Sequence, residues 1–487
     1  MIMNSGSANT ITNDFFNPKF RTYTFEFQPI SNSNGSFKFI DHFHEQEESI
    51  GFNINDEAFA YRVENKFPSI IADLIDLAVA IYASDRLAFH DLGKTQRCLH
   101  ISLPLRHPEL FSSKLLQRKL KDLLIWATES KWSFEFKERQ VSGRFVEQQP
   151  ILLPTITPDS EVALWSGGLD SLAGLYTRLK ATPDQPFILF GTGSNNIIYS
   201  YQGKVADKMR SLFPSRVSLL RVPIHLHNSG QQRKNKLSRV RGVLFTLLGS
   251  ACAYLMGQRK LFVYENGIGA INLPYSKSTV GLDHSRSVHP QTLLMVSDLV
   301  SEVIGEKFEV KNPFLFWTKA QMCKDLAKDS RSDLSSSTVS CDSRHRKKIA
   351  SQCGYCSSCL LRRQALIVAN LEDKTPYVIT HRKHQLKKDP SSYFCRMQTQ
   401  VNTIDKLLKL SNKREIQWKY LAQEFFEMDD IVDRTFKAEK LSSIEMRYKL
   451  IQLYETYIDE WKAVEIYLHK GLLNKIDYDD QQIPKTA

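Results

Sequence analysis

Hydrophobic and polar residues follow two different periods in the first third of this chain. Tyr23, Phe25 and Phe27 occupy every second position, which predicts a strand with one buried face. Residues 70–90 instead carry apolar side chains every three or four positions, and this spacing predicts a helix. Further elements are predicted as strands at 97–105 and 132–139, with a helix at 112–128. We therefore predict an α+β domain over residues 14–150.

The helix predicted at 70–90 also contains acidic residues. Asp73, Asp76 and Asp85 stand among its apolar positions. Aspartate is rarely buried unless it is paired with a cation. These three residues are therefore interpreted as the solvent-exposed face of the helix.

Strand and helix patterns alternate through the middle of the chain, residues 151–380. The predicted strands lie at 162–165, 187–190, 217–224 and 261–264, and the predicted helices begin near 170, 202 and 239. This alternation is typical of a doubly wound parallel sheet, in which ligands bind beyond the carboxyl ends of the strands. We expect an α/β domain here.

The two ends of the chain have different patterns. Residues 1–13 are rich in Asn, Ser and Thr, which predicts a flexible tail. Residues 381–487 are predicted to be helical, with one apolar stripe formed by Ile444, Tyr448, Ile451, Tyr454, Ile458 and Trp461. Such a stripe usually packs on its own domain, although its aromatic content would also suit a partner protein.

Composition places the chain among globular proteins. Hydrophobic residues make up 42% and charged residues 24% of its 487 residues. The sequence has neither an apolar run of membrane-spanning length nor the pattern of a signal peptide, so a cytoplasmic enzyme with no membrane contact is expected. The net charge of +12 is concentrated in basic stretches at 231–236, 344–348 and 381–388. Such stretches can bind nucleic acid, but they also suit loops around a nucleotide cleft, which is the favoured interpretation.

The most informative segment lies between the strand at 162–165 and the helix that follows it. It reads Ser166, Gly167, Gly168, Leu169, Asp170 and Ser171. Glycines let the backbone approach a phosphate, and the first turn of a helix offers free N–H groups to it. Because a carboxylate needs a cation to meet a phosphate, Asp170 implies Mg²⁺. The string resembles the PP-loop of N-type ATP pyrophosphatases, which split ATP into AMP and pyrophosphate.

A cysteine cluster forms the second motif. Its four members, in the spacing C-x11-C-x2-C-x2-C, are Cys341, Cys353, Cys356 and Cys359. Four thiolates at this spacing can enclose one tetrahedral Zn²⁺ and leave no position open for water. We therefore predict a structural zinc knuckle, with an iron–sulfur cluster as the alternative.

Together the two motifs resemble the QueC family of 7-cyano-7-deazaguanine synthases. The resemblance includes the pair Thr318-Lys319 and the helix at 238–255, which in that family begins with an arginine, here Arg241. It implies that Ser166 to Ser171 and Arg241 bind ATP. Asp170 and Lys319 are the implied catalytic residues, and the exposed surface of a helix is the alternative for Arg241 and Lys319.

QueC activates a deazaguanine carboxylate with ATP and converts it through an amide to a nitrile. The resemblance therefore implies activation of 7-carboxy-7-deazaguanine with ATP, Mg²⁺ and Zn²⁺. At 487 residues the chain exceeds an ordinary QueC, and it is similar to QueC-like proteins of the anti-phage Qat and type IV CBASS clusters. In those clusters the acceptor is thought to be a partner protein encoded nearby. A tRNA-modifying PP-loop enzyme and a non-enzymatic ATP-binding scaffold are the alternatives.

Overall fold

The computed structural model describes residues 20–60, 67–89, 96–140, 143–148, 159–193, 196–227, 235, 238–275, 286–342, 352–380 and 390–473. Its strands are β1 (Phe20–Phe27), β2 (Asn34–Asp41), β3 (Gln46–Ile54), β4 (Gln96–Leu105), β5 (Lys131–Glu138), β6 (Glu161–Leu164), β7 (Phe187–Gly193), β8 (Val217–Leu226), β9 (Lys260–Phe262) and β10 (Glu309–Lys311).

The helices of the first half are α1 (Glu57–Ala60), α2 (Ser69–Leu87), α3 (Pro108–Phe111), α4 (Lys114–Thr128), α5 (Phe145–Gln148), α6 (Leu169–Ala181), α7 (Asn196–Leu212) and α8 (Arg241–Leu255). Those of the second half are α9 (Gly267–Ile271), α10 (Pro290–Ile304), α11 (Lys319–Lys328), α12 (Ser332–Ser335), α13 (Ser357–Val368), α14 (Ser391–Lys409), α15 (Arg414–Glu424), α16 (Glu427–Thr435) and α17 (Ser443–Leu473).

The chain divides into two compact units, each made of three segments. The N-terminal unit comprises Met1–Ile156, Val222–Leu255 and Met295–Phe308. The C-terminal unit comprises Thr157–Arg221, Met256–Leu294 and Glu309–Ala487. The tail predicted at 1–13 and the predicted boundaries near 150 and 380 lie outside or at the edge of the described residues, so the predicted domain ranges stay predictions.

The N-terminal unit is built on a mixed sheet in the order β8-β3-β2-β1-β4-β5. β1, β2 and β3 pair antiparallel, while β1 with β4 and β4 with β5 pair parallel. The alternation predicted at Tyr23, Phe25 and Phe27 is confirmed, since all three side chains are buried. β2 and β3 were not predicted, although Phe37 and Phe39 show the same alternation and are also buried.

The interpretation of the three aspartates of α2 as an exposed face is wrong. Asp73, Asp76 and Asp85 are each at most 2% exposed. Their carboxylates form ion pairs with arginines from later in the chain, Arg97 with Asp85, Arg106 with Asp73 and Asp76, and Arg139 and Arg144 with Asp76. Burial of a charge is tolerated when a partner and hydrogen bonds compensate for lost water. The partners are distant in sequence, so local periodicity could not reveal them.

The C-terminal unit contains a parallel sheet in the order β10-β9-β6-β7. The pairs β10 with β9, β9 with β6 and β6 with β7 are all parallel. The predicted mixed α/β fold with a mostly parallel sheet is thereby confirmed. Because parallel strands are joined through helices, the loop after β6 lies at a carboxyl edge of the sheet, where ligands bind in such folds.

The C-terminal unit continues in helices from α13 to α17. Within the predicted apolar stripe Ile451, Tyr454, Ile458 and Trp461 are buried in a core shared with α14 and α15, whereas Ile444 is 56% exposed. Most of the stripe is therefore covered by this unit itself. No helix in the described part of the chain has both the length and the apolar character to cross a membrane.

Candidate active site

The turn between β6 and α6 has a backbone that only glycine suits. Gly167 has φ +72°, and a Cβ atom there would lie 3.1 Å from the Cα of Gln202. A side chain would therefore be both strained and crowded. Gln202 itself is held to the strand end, because its amide donates to the carbonyl of Trp165 at 3.0 Å while the Trp165 indole donates to the Gln202 carbonyl at 2.9 Å. The turn is thus fixed before any ligand binds.

Hydroxyl groups and backbone donors converge at the start of α6. The Ser166 and Ser171 hydroxyl oxygens lie 2.8 Å apart, and Ser166 Oγ accepts from the Gly168 N–H at 3.1 Å. The first N–H groups of a helix have no partner within the helix and carry its positive dipole end. This arrangement can bind a phosphate, as the sequence predicts for Ser166 to Ser171.

Lys319 and Asp170 are brought together by the fold. The Lys319 ammonium donates to Asp170 Oδ2, and the residues are only 6% and 8% exposed. Lys319 begins α11, whose N-terminus is fixed by a capping box between Thr318 and Gln321. Burial lowers the pKa of Lys319, but the carboxylates of Asp170 and Glu265 outweigh it, and the pKa is raised. The site therefore holds a charged ammonium group beside the phosphate-binding turn.

Glu265 and Asn266, which directly follow the fourth predicted strand at 261–264, also lie at this site. Asn266 donates through Nδ2 to Asp170 Oδ1 at 3.0 Å and to Glu265 Oε1 at 2.8 Å. Burial and the nearby Asp170 carboxylate raise the pKa of Glu265 to about 8. Their position after the fourth predicted strand was the available signal, since the carboxyl ends of parallel strands share one edge.

Arg241 and the turn at Gly167 belong to different units of the chain. Arg241 begins α8 in the N-terminal unit, and its guanidinium lies 5.1 Å from the ring centroid of Phe245. This contact is of the cation–π type. The ATP-binding role that the QueC resemblance implies for Arg241 stays a prediction.

The four predicted cysteines form one cluster, with all their sulfur atoms within 4.8 Å of one another. Cys341 Sγ lies 3.9 Å from Cys356 Sγ, and Cys353 Sγ lies 3.8 Å from Cys359 Sγ. Four sulfurs at ~2.3 Å from a tetrahedral zinc would lie ~3.8 Å apart. The cluster therefore fits Zn²⁺, as predicted.

Backbone donors support the thiolates of this cluster. Cys353 Sγ accepts from the N–H groups of Tyr355 at 3.5 Å and Cys356 at 3.2 Å. Hydrogen bonds from Cys341, Cys356 and Cys359 hold the pKa of Cys353 well below its ordinary value. A low thiol pKa favours the thiolate, which is the form that binds a metal.

The cysteine cluster is joined to the turn at Gly167 by a short segment. Val339 N–H donates to the Gly167 carbonyl at 3.3 Å, and Leu169 N–H donates to Ser340 Oγ at 3.2 Å. The next residue is the first metal ligand, Cys341. Two hydrogen bonds therefore connect the segment that precedes Cys341 with the turn at Gly167.

A protein-family model described as "QueC: Queuosine biosynthesis protein QueC" matches residues 226–370. This range includes Glu265, Lys319 and the four cysteines, whereas Ser166 to Ser171 precede it. No curated protein matches the chain. The match supports a QueC-like protein that uses ATP as an enzyme, acts on a small molecule and binds zinc through the cysteine cluster.

Proposed function

We propose that this protein activates a carboxylate with ATP and releases AMP and pyrophosphate. The observation that carries the proposal is the buried pair of Asp170 and Lys319 beside a glycine turn at a helix N-terminus. The turn lacks the Gly-Lys-Ser/Thr ending of a Walker loop, and its lysine instead comes from α11. This arrangement favours pyrophosphate release over phosphate release.

Several residues at the turn would bind ATP together. The Ser166 and Ser171 hydroxyls and the N–H groups that follow Leu169 in the first turn of α6 would donate to oxygens of the β- and γ-phosphates. Lys319 would exchange its contact with Asp170 for a phosphate oxygen as charge develops on the departing pyrophosphate. Donors that are already in place stabilise such charge without reorganisation.

A divalent cation suits the oxygen donors at this site. The carboxylates of Asp170 and Glu265 are both hydrogen-bonded to the same amide nitrogen, and hard oxygen ligands are those that Mg²⁺ prefers. When bound, Mg²⁺ would neutralise charge on the phosphate oxygens of ATP. Asp170 would hold the cation, and Glu265 would lie within reach of the same phosphates.

The proposed carboxylate is 7-carboxy-7-deazaguanine, because this is the acid that the QueC family activates. Once activated, its carbonyl carbon accepts an amine, forming an amide bond as AMP leaves. Ammonia would give an amide that can be dehydrated to a nitrile, whereas a protein amine would give a stable conjugate. We propose a partner protein encoded nearby as the acceptor, in anti-phage defence, because the chain carries a large N-terminal unit beyond the catalytic residues named here.

The test is product analysis after incubation with ATP and 7-carboxy-7-deazaguanine, with and without neighbouring gene products. AMP and pyrophosphate in equal amounts, and a mass increase on one added protein, are the expected results. Asp170→Asn should abolish both, whereas Asp207→Asn, at an exposed position of α7, should not. ADP and phosphate as the products would refute the proposal. ATP binding without turnover under all conditions would favour a scaffold.

A further inference from the structure

Asn266 is fully buried and forms three hydrogen bonds. Its Oδ1 accepts from the Gly269 N–H at 2.9 Å, which caps α9. Its Nδ2 donates to Asp170 at 3.0 Å and to Glu265 at 2.8 Å. One side chain therefore connects a helix cap to both carboxylates of the site.

Only one orientation of the Asn266 side-chain amide satisfies all of its hydrogen-bond partners. A side-chain amide has one oxygen that accepts and one nitrogen with two N–H donors. In Asn266 the oxygen faces a backbone N–H and the nitrogen faces two carboxylates. Rotation by 180° would turn the oxygen toward two acceptors and leave three groups unsatisfied. The carboxylates of Asp170 and Glu265 are thus fixed relative to α9.

Gly269 provides the space that this arrangement needs. A Cβ atom at Gly269 would lie 2.6 Å from Glu265 Oε1 and 2.8 Å from Asn266 Nδ2. Both distances are far below van der Waals contact, so a side chain would push these two groups aside. The groups are the polar ends of side chains and can move without a change of backbone. Position 269 therefore controls where the amide and the carboxylate lie.

The backbone of Glu265 is held as well. Asn312 Nδ2 donates to the Glu265 carbonyl at 2.8 Å, and Asn312 Oδ1 accepts from the Phe314 N–H at 3.1 Å. Asn312 is 7% exposed, so these bonds are made in a largely dry environment, where hydrogen bonds are strong. Both the main chain and the side chain of Glu265 are therefore restrained.

We propose that Asn266 is a positioning residue, which sets the carboxylates of Asp170 and Glu265 for the divalent cation and phosphates of ATP. Gly269 makes room for it. The proposal rests on the proposed function and extends it to residues that do not contact substrate. Without the amide, the connection between α9 and the two acidic side chains would be lost.

Two variants distinguish a positioning role of Asn266 from a role in folding. Asn266→Ser retains a residue that caps helices well but removes the amide donors to both carboxylates. Gly269→Ala displaces only the ends of two side chains. Both variants are expected to unfold within about 4 °C of wild type. In both, kcat should fall about tenfold to hundredfold while KM for ATP changes little, because misplacement of a catalytic group acts on the transition state.

A second measurement does not depend on turnover. Mn²⁺ binding is followed by electron paramagnetic resonance in the presence of an ATP analogue with a methylene group between the α- and β-phosphates. Mn²⁺ takes the same oxygen ligands as Mg²⁺. Its affinity is expected to fall about tenfold in both variants, since a displaced carboxylate is a poorer ligand.

Ser113→Ala is the matched control, because Ser113 caps α4 through the Leu116 N–H at 3.3 Å and has no contact with Asp170 or Glu265. It should keep wild-type kcat and Mn²⁺ affinity. Wild-type values in Asn266→Ser and Gly269→Ala would overturn the positioning role, and so would a wild-type protein that binds no Mn²⁺ with the analogue. A wild type that binds Mn²⁺ but forms no AMP would refute only the proposed function.

Discussion

The ammonium group of Lys319 is ion-paired with the carboxylate of Asp170, although the two residues are 149 positions apart in the sequence. Both side chains are nearly inaccessible to water. Each group therefore compensates for the burial of the other, in addition to any part that it takes in catalysis.

Lys319→Met is expected to lower the free energy of unfolding by about 3–5 kcal/mol, since it leaves Asp170 buried without a cation. The double variant Lys319→Met with Asp170→Leu should regain much of this loss, because no charge is then left unpaired. Urea unfolding measures both values, and neither variant should consume ATP. Lys180→Met, which breaks a pair with Asp329 at about one-third exposure, should cost less than about 1 kcal/mol. A double variant whose loss of stability equals the sum of the losses in Lys319→Met and Asp170→Leu would show that the pair is not coupled.

Metal removal should affect both stability and nucleotide binding. Elemental analysis is expected to find about one zinc per chain. Cys356→Ser should lose the metal and unfold at a lower temperature, because metal affinity at such a site is folding energy. It should also weaken ATP binding, since Val339 and Ser340 connect the cluster to the phosphate-binding turn.

Cys395→Ser is the control for this experiment, because Cys395 is exposed and lies outside the cluster. Its zinc content and unfolding temperature should match those of wild type. Iron in stoichiometric amount, with a visible charge-transfer band, would contradict the zinc assignment. Loss of zinc with unchanged ATP affinity would contradict the connection to the turn.

The ion-pair network of the N-terminal unit should make a large contribution to stability. Arg144 is fully buried and bonds to both Asp56 and Asp76. Arg144→Met is expected to cost about 3–5 kcal/mol in urea unfolding, because buried Asp56 loses its arginine partner and Asp76 loses one of three. Arg210→Met removes an exposed pair with Asp207 and should change stability by less than about 1 kcal/mol. Equal effects of the two substitutions would contradict the importance of burial.

The sequence predicts those parts of the site that depend on neighbours in the chain. The turn at Gly167 and the cysteine cluster are both recognised from residues at short, fixed spacings. Few other structures require these residue types at these spacings. The helix α2 shows the limit of such reasoning. Its length and apolar positions are predicted from periodicity, but the burial of Asp76 depends on Arg106 and Arg144, which are 30 and 68 residues away.

The site at Asp170 shows the same limit. Asp170 and Lys319 are identified by motifs, whereas the contact of Asn266 with Asp170 spans 96 residues and belongs to no motif. A residue that acts through another needs only the right position in space, so its local sequence can look like an ordinary turn.

Glu265 should make the stability of the folded protein depend on pH. Burial and the Asp170 carboxylate raise its pKa to about 8, against about 4.5 in an unfolded chain. A carboxyl group whose pKa is raised on folding favours the folded state at low pH. Its contribution is complete below about pH 4.5 and is lost as the pH rises through about 8.

Urea unfolding of the zinc-loaded protein at several values between pH 5 and pH 8 tests this prediction against Glu265→Gln, which cannot titrate. As the pH rises, the free energy of unfolding of wild type should fall relative to that of Glu265→Gln. One titrating group can contribute no more than about 1.4 kcal/mol per pH unit. Groups that do not interact with Glu265 titrate equally in both proteins, so they cancel in the comparison. A constant difference across this range would mean that Glu265 keeps an ordinary pKa in the folded protein.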